Sequence, residues 1–204
     1  DFARIINEEG VELSDLVDGM FDYLQLESGE VVFANESLDG GDTVKQVLEA
    51  RKAKADKRGI KVEFAEQDSA PLVVADRRRL QQVARHLLDN AIKFSPDGGT
   101  VSVTVSGRDE GWELRIEDTG PGIPPDDRDA VFEKFSQLPD QLTDKPSGTG
   151  IGLATSRAIV ARFGGLIWCE DSSMGGASFV VLLPGEGQPK LAGFGAGTGA
   201  GGGF

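Results

Sequence analysis

The chain has 204 residues, of which 39% are hydrophobic and 27% are charged, and its formal net charge is -13. This composition indicates a globular protein, and the acidity disfavours a nucleic-acid-binding protein, which needs a basic surface. One cysteine excludes an internal disulfide, and with only one histidine beside it the usual zinc sites are excluded too. No apolar run approaches the roughly 20 residues that span a bilayer, so the sequence predicts a soluble, cytoplasmic chain, whatever anchors its parent protein.

Residues 1–29 are predicted to form one long amphipathic helix that ends at Gly29. Its apolar residues recur at spacings of three and four. They are Phe2, Ile5, Ile6, Leu13, Leu16, Val17, Met20 and Leu24. A lone helix must bury such a stripe, so this helix packs against a partner chain, against another helix, or back onto its own domain.

Residues 30–185 alternate between strand and helix patterns and predict an α+β domain, with helices covering one face of a mixed, largely antiparallel sheet. A short strand is expected at 31–35, and a helix capped by Asp42 at 43–58. The strands "TVSVTVSG" and "WELRIED" should form a hairpin, and "GLIWCED" should pair with "ASFVVLLP". Residues 186–204 are glycine-rich and are predicted to be disordered.

The segment "HLLDNAIKFS" places three polar residues on one side of an apolar helix. His86, Asn90 and Lys93 share a helical face because they are four and three residues apart. An Asn carbonyl oxygen suits Mg²⁺, which retains waters and binds substrate phosphates, and Lys93 could neutralise phosphate charge. The alternative is an ordinary exposed helix face.

The segment "EDTGPGIPPDD" directly follows a predicted strand. Asp118 lies at the end of this strand, where its carboxylate could accept the exocyclic amine of adenine. Gly120 and Gly122 would let the backbone approach a ring closely. The alternative is a simple turn in which Asp is the turn-forming residue.

Two further segments complete the pattern. "RDAVFEKF" is predicted to be a short helix anchored by Phe132 and Phe135, with Lys134 facing the next loop or simply exposed on the surface. "GTGIGL" precedes a helix, and its amides could form an anion-binding nest. This glycine pattern matches neither the P-loop nor the dinucleotide fingerprint.

In this order, "HLLDNAIKFSP", "DTGPGI", "VFEKF" and "GTGIGLATSRAIV" resemble the N, G1, F and G2 boxes of sensor histidine kinases. The resemblance is to the catalytic ATP-binding domain, a Bergerat-fold member of the GHKL group that also includes gyrase-type, MutL-type and heat-shock chaperone ATPases. It covers residues 31–184. The first helix resembles the second helix of the dimerisation and phosphoacceptor domain of that family.

The resemblance implies a site for ATP and Mg²⁺. Asn90 would coordinate Mg²⁺ on the phosphates, Lys93 would contact phosphate, and Asp118 would bind the adenine amine. The other implied nucleotide contacts are Gly120, Gly122, Ile123, Lys134, Gly148, Thr149, Gly150, Gly152, Leu153 and Ser178. Residues 136–147 would form a mobile lid over the nucleotide.

The resemblance also implies transfer of the ATP γ-phosphoryl group to a histidine, and then to an aspartate on a response regulator receiver domain. The full protein would dimerise through its N-terminal helical domain, with no nucleic-acid partner. The helix that carries the acceptor histidine is not in this sequence. The single histidine, His86, lies in the N box, where it would orient the γ-phosphate or attacking group, act as a weak base, or only pack.

Two other functions remain open from the sequence. One is an ATPase or serine kinase of the same fold that acts on another protein, which steady ATP hydrolysis without a histidine-bearing partner would favour. The other is a scaffold that binds a partner without nucleotide, which failure to bind an adenine nucleotide would favour.

Overall fold

The computed structural model describes residues 2–67, 70–136 and 150–191. The helices are α1 (Phe2–Ser28), α2 (Gly40–Asp56), α3 (Arg77–Phe94) and α4 (Gly152–Arg162). The strands are β1 (Glu36–Leu38), β2 (Lys61–Glu66), β3 (Val73–Ala75), β4 (Thr100–Arg108), β5 (Gly111–Asp118), β6 (Leu166–Asp171) and β7 (Ala177–Leu183). Short 3-10 turns lie at Pro125–Asp127 and Ala130–Phe132.

The main sheet has five strands in the order β2-β4-β5-β7-β6. β2 pairs with β4 in parallel, and the other neighbours are antiparallel. Both predicted strand pairs are present, since β4 and β5 form a hairpin and β6 pairs with β7. The predicted α+β fold, with a mostly antiparallel sheet covered by helices and a long helix before it, is confirmed.

The alternation of the strands explains how the sheet presents one face to the core. Trp112, Leu114 and Ile116 of β5 are fully buried, and the residues between them are charged. Successive side chains of a strand point to opposite faces, so the charged residues lie on the sheet face away from the helices. Helix α3 begins where the Asp76 side chain accepts a hydrogen bond from the Arg79 amide at 3.1 Å.

The strand predicted at 31–35 is wrong. The strand in this region is Glu36–Leu38, which pairs with β3 in a separate two-stranded sheet. Side chains hold the preceding segment instead: the Ala34 amide donates to Asp76 Oδ2 at 2.9 Å, and Arg162 donates to the Val31 carbonyl at 3.0 Å. An alternating apolar pattern cannot distinguish a backbone that hydrogen-bonds to another strand from one that hydrogen-bonds to side chains.

The boundaries predicted for α2 are also wrong. The helix begins at Gly40, and its cap is Asp39, whose side chain accepts from the Asp42 amide at 3.0 Å. Gly40 packs on the indole of Trp112, where an added Cβ would lie 2.4 Å from the ring. Tertiary contact therefore overrides the low helix propensity of glycine.

The helix predicted in "RDAVFEKF" is reduced to the single 3-10 turn Ala130–Phe132. Phe132 anchors this turn, since it is 4% exposed and packs edge-on against Phe179. The predicted anchoring by Phe135 is wrong, because its φ of 61° places the backbone in the left-handed region and its side chain is 58% exposed.

The end of α1 docks on the rest of the chain. Leu26 is buried, and Asp22 accepts hydrogen bonds from Arg79 and Gln82, both at 2.6 Å. A second face of α1 remains open, with its large apolar side chains exposed. These are Val17, Met20, Phe21 and Leu24. Within the described ranges, no helix is both long enough and apolar enough to cross a membrane.

The chain continues to make backbone hydrogen bonds past the predicted boundary at residue 185. The Glu186 amide donates to the Leu72 carbonyl, and the Leu191 amide donates to the Gly164 carbonyl, both at 2.8 Å. Residues 192–204 of the glycine-rich tail lie outside the described residues, so the prediction of disorder there stays a prediction.

Candidate functional site

Asp118 ends β5 and is only 3% exposed. Its Oδ1 accepts two backbone hydrogen bonds, from Gly120 at 2.8 Å and from Ala177 at 3.1 Å. None of the described residues donates to its other oxygen, Oδ2. Two paired strands and the loop after β5 therefore fix the carboxylate and leave one oxygen for a ligand donor.

Burial raises the pKa of Asp118, and the two backbone hydrogen bonds partly oppose this shift. A buried carboxylate with one unbonded oxygen gains free energy when a donor reaches it. The exocyclic amine of adenine is such a donor, so the geometry supports the adenine-binding role implied for Asp118.

Three glycines make room around this carboxylate. A Cβ on Gly120 would lie 2.7 Å from the Phe94 carbonyl oxygen, and one on Gly176 would lie 2.2 Å from Asp118 Oδ1. Gly122 has a φ of 73° and faces the Gly176 carbonyl. The sequence did not single out Gly176, whose only local signal is a glycine pair before β7.

Helix α3 brings the metal-binding candidates to the same region. Its last residue, Phe94, touches Gly120 through its carbonyl, which joins the helix end to the loop after Asp118. Asn90 is half-buried, and its side chain has no hydrogen-bond partner among the described residues. The Lys93 ammonium lies 4.5 Å from the Phe94 ring centroid. Asn90 thus lies one turn before the end of α3 that adjoins the Asp118 loop, and Lys93 lies one residue before it.

His86 lies one turn earlier on α3, beside the start of α4. Its Nδ1 is 3.1 Å from Ser156 Oγ, and a Cβ on Gly152 would be 3.5 Å from the ring. Burial lowers the pKa of His86 to about 4, and the charge of Arg85 adds to the shift. The imidazole is therefore neutral at pH 7 and is a poor general base there.

The F and G2 segments adjoin each other. The Phe135 amide donates to the Gly150 carbonyl at 3.0 Å, and a Cβ on Gly150, whose φ is 65°, would lie 2.9 Å from Phe135 Cα. Gly152 begins α4, and Leu153 is half-buried against the core. Gly148, Thr149 and residues 137–147 of the predicted lid lie outside the described residues.

Lys134 is turned toward α1, although the resemblance implied a nucleotide contact. Its ammonium bonds both carboxylate oxygens of Glu27, at 2.8 and 3.0 Å, and lies 4.7 Å from the Tyr23 ring centroid. The contact raises the pKa of Lys134, chiefly through the Glu27 hydrogen bond.

Ser178 follows Ala177, whose amide bonds Asp118, but its side chain lies on the opposite sheet face, contrary to the implied role. Ser178 pairs with Glu117 across β5 and β7, and its hydroxyl accepts from Arg115 at 3.0 Å. Directly paired residues share a sheet face, so Ser178 lies on the face opposite to Asp118. Ile123 is half-buried against the core, and its carbonyl accepts from Arg128 at 3.2 Å.

The donor set fits a magnesium–nucleotide complex. In the described part of the chain, no group of three or more His, Cys, Asp or Glu side chains could hold a metal by itself. Mg²⁺ commonly takes one or two protein oxygens and completes its shell with phosphates and waters. The side-chain amide of Asn90, which bonds none of the described residues, can supply one such oxygen.

A family model described as histidine kinase-, DNA gyrase B-, and HSP90-like ATPase matches residues 75–187. Adaptive-response sensory kinase SasA of Prochlorococcus marinus (strain MIT 9313) is 39% identical over 157 residues, which are 76% of this chain and 42% of that protein. This chain therefore spans about two fifths of the length of that curated relative.

Two solved structures have the same fold. Full-length ShkA in complex with AMPPNP aligns with a TM-score of 0.77 at 28% identity, over 93% of this chain and 40% of that one. The mycobacterial sensor histidine kinase MprB aligns with a TM-score of 0.64 at 32% identity, over 74% of this chain and 98% of that one.

The matched residues include α3, the Asp118 loop, α4 and β7, which together build the site. The fold, the site geometry and the family match therefore agree. The chain belongs to the family of histidine kinase-, DNA gyrase B- and HSP90-like ATPases.

Proposed function

We propose that this chain is the ATP-binding catalytic core of a two-component sensor histidine kinase. It transfers the ATP γ-phosphoryl group to a histidine, from which the group passes to an aspartate of a response regulator receiver domain. The observation that carries the proposal is the Asp118 carboxylate, whose Oδ1 is held by two backbone amides while Oδ2 has no donor among the described residues.

Each residue of the site has a distinct task in this proposal. Asp118 accepts the adenine amine, while Gly120, Gly122 and Gly176 leave room for the ring. Asn90 would help to hold Mg²⁺, and the Lys93 ammonium would contact phosphate. Mg²⁺ bound there neutralises phosphate charge. Phosphoryl transfer needs chiefly positioning and charge neutralisation, and this set of residues supplies both.

The acceptor histidine would come from a helical domain that packs on α1. The exposed apolar residues of α1 fall at spacings of three and four along one stripe, namely Val17, Met20, Phe21 and Leu24. Such a stripe is typical of a helix that packs against other helices, which supports a helical homodimer in the full protein. Because its substrate is ATP, we place the reaction in the cytoplasm.

The proposal is tested by mixing the chain with radiolabelled Mg-ATP and the separately purified acceptor-helix domain of the full protein. The expected product is an acid-labile phosphohistidine on that domain, absent when the chain carries Asp118→Asn. Steady ATP hydrolysis without phosphohistidine would instead support an ATPase, and acid-stable label would support a serine kinase. If the chain bound no adenine nucleotide at all, the scaffold function would replace both.

A further inference from the structure

The hydroxyl of Ser156 joins two of the helices that build the phosphate end of the site. Ser156 is fully buried on α4, where its Oγ lies 2.8 Å from the Gly152 carbonyl oxygen and 3.1 Å from His86 Nδ1 on α3. These contacts link the first turn of α4 to the turn of α3 that precedes Asn90.

The hydrogen bonding fixes the roles of both side chains. A carbonyl only accepts, and a serine hydroxyl has a single proton, so the contact with Gly152 uses the Ser156 proton. The contact with His86 must then be donated by the imidazole. His86 is therefore the Nδ1–H tautomer, and its Nε2 carries the lone pair.

The same contact lies where the two helices approach each other closely. Gly152 has no side chain between it and His86, and a Cβ there would lie 3.5 Å from the imidazole Cγ. The start of a helix binds anions through its free amides. A contact that holds Gly152 against α3 therefore also sets the position of the first amides of α4 relative to Asn90, which lies one turn after His86 on α3.

We propose that His86 and Ser156 act as one positioning pair, which holds the first turn of α4 against α3 so that its amides and Asn90 meet the same phosphates. This rests on the proposed function, since it assumes ATP in the site. His86 is then a positioning residue, and neither acceptor nor base for phosphoryl transfer. Ser156 becomes a functional residue that the motif pattern did not reveal.

A double-mutant cycle tests the pair. His86→Ala and Ser156→Ala should each weaken Mg-ATP binding by a similar factor, roughly three- to ten-fold for the loss of one hydrogen bond, and the double variant should lose no more than either. Adenosine affinity should not change, because Asp118 lies at the other end of the site. His86→Asn should restore much of the loss, since its amide can donate to Ser156.

Ser95→Ala is the matched control for Ser156→Ala. Ser95 is also fully buried and directly follows α3, but its hydroxyl has no hydrogen-bond partner among the described residues. Its removal should leave Mg-ATP affinity unchanged. Three results would contradict the positioning pair. They are additive losses of Mg-ATP affinity in the double variant, an equal loss of adenosine affinity, and an affinity of His86→Asn no better than that of His86→Ala.

A second measurement needs no nucleotide. The chain has one histidine, so its imidazole nitrogens give a single set of ¹⁵N resonances. These should report the Nδ1–H tautomer in the parent and a shift toward Nε2–H in Ser156→Ala. An Nε2–H tautomer in the parent would overturn the pair, whereas the expected tautomer in a chain that binds no ATP would overturn only the proposed function.

Discussion

The two ends of the site are built in different ways. At the adenine end, the backbone of paired strands holds Asp118 through two amides. At the phosphate end, side chains of α3 and α4 carry the contacts, as in the His86–Ser156 bond. Hydrogen bonds between backbone groups of paired strands persist when most side chains are substituted, whereas one substitution removes a side-chain hydrogen bond. Substitutions at the adenine end should therefore weaken nucleotide binding only when they change Asp118 or the glycines around it. At the phosphate end, each substitution of a contacting side chain should weaken binding by a part.

Asp118→Asn should have the largest effect on nucleotide binding. The Asn oxygen would accept the two backbone amides and turn its NH₂ group toward the adenine amine, so donor would face donor. Loss of a hydrogen bond to a charged group costs about 1.5–3 kcal/mol, or about 10- to 100-fold in Kd. Calorimetry with Mg-ATP measures this loss, and Asp109→Asn in the exposed β4–β5 turn is the control. Unchanged affinity of Asp118→Asn would refute the pocket assignment.

Gly176→Ala tests whether the space around Asp118 matters as much as its charge. The new Cβ would lie 2.2 Å from Asp118 Oδ1 and 2.6 Å from the Gly120 amide, so the carboxylate must move. We expect roughly ten-fold weaker ATP binding, equivalent to about one hydrogen bond.

Gly175→Ala separates this clash from backbone strain. Gly175 has a φ of 94° with open space around it, so alanine there should cost about 1 kcal/mol of folding stability but little affinity. If both alanine variants bound ATP equally well, the clash at Gly176 would not matter.

Asn90→Ala should weaken binding only in the presence of Mg²⁺. Removing a group that supports a metal commonly costs 10–100-fold in metal affinity, and we expect a loss near the lower end because phosphates and waters supply the other oxygens. ATP affinity is measured with Mg²⁺ and with EDTA. Gln81→Ala, on the same helix but bonded to Gln46 at 2.8 Å, is the control. An equal loss under both conditions would count against the metal role.

Lys134→Ala should have the smallest effect on ATP affinity, within about two-fold, because the ammonium bonds Glu27 of α1. Lys134 is 44% exposed and Glu27 is 51% exposed, so solvent screens their ion pair, which adds little to the stability of the fold. Glu27→Gln should therefore lower the melting temperature only slightly. A marked loss of ATP affinity in Lys134→Ala alone would restore the nucleotide contact implied by the resemblance.

The sequence predicts only part of each end of the site. Asp118 and Asn90 were identifiable because a strand end and a helical face are local patterns. The face occupied by Ser178 depends on the register of β7 against β5, which no local pattern contains. Gly176 and Ser156 act on residues 58 and 70 positions away in the chain, at Asp118 and His86, so only the tertiary structure identifies them.

Nucleobase discrimination tests the central claim most directly. Adenine presents an amine where guanine presents a carbonyl oxygen, and Asp118 can only accept when it is ionised. Calorimetric titrations of the parent chain should therefore give Mg-ATP binding at least about ten-fold tighter than Mg-GTP binding, with the difference largely removed by Asp118→Asn. Equal affinities for ATP and GTP in the parent chain would contradict an adenine pocket at Asp118.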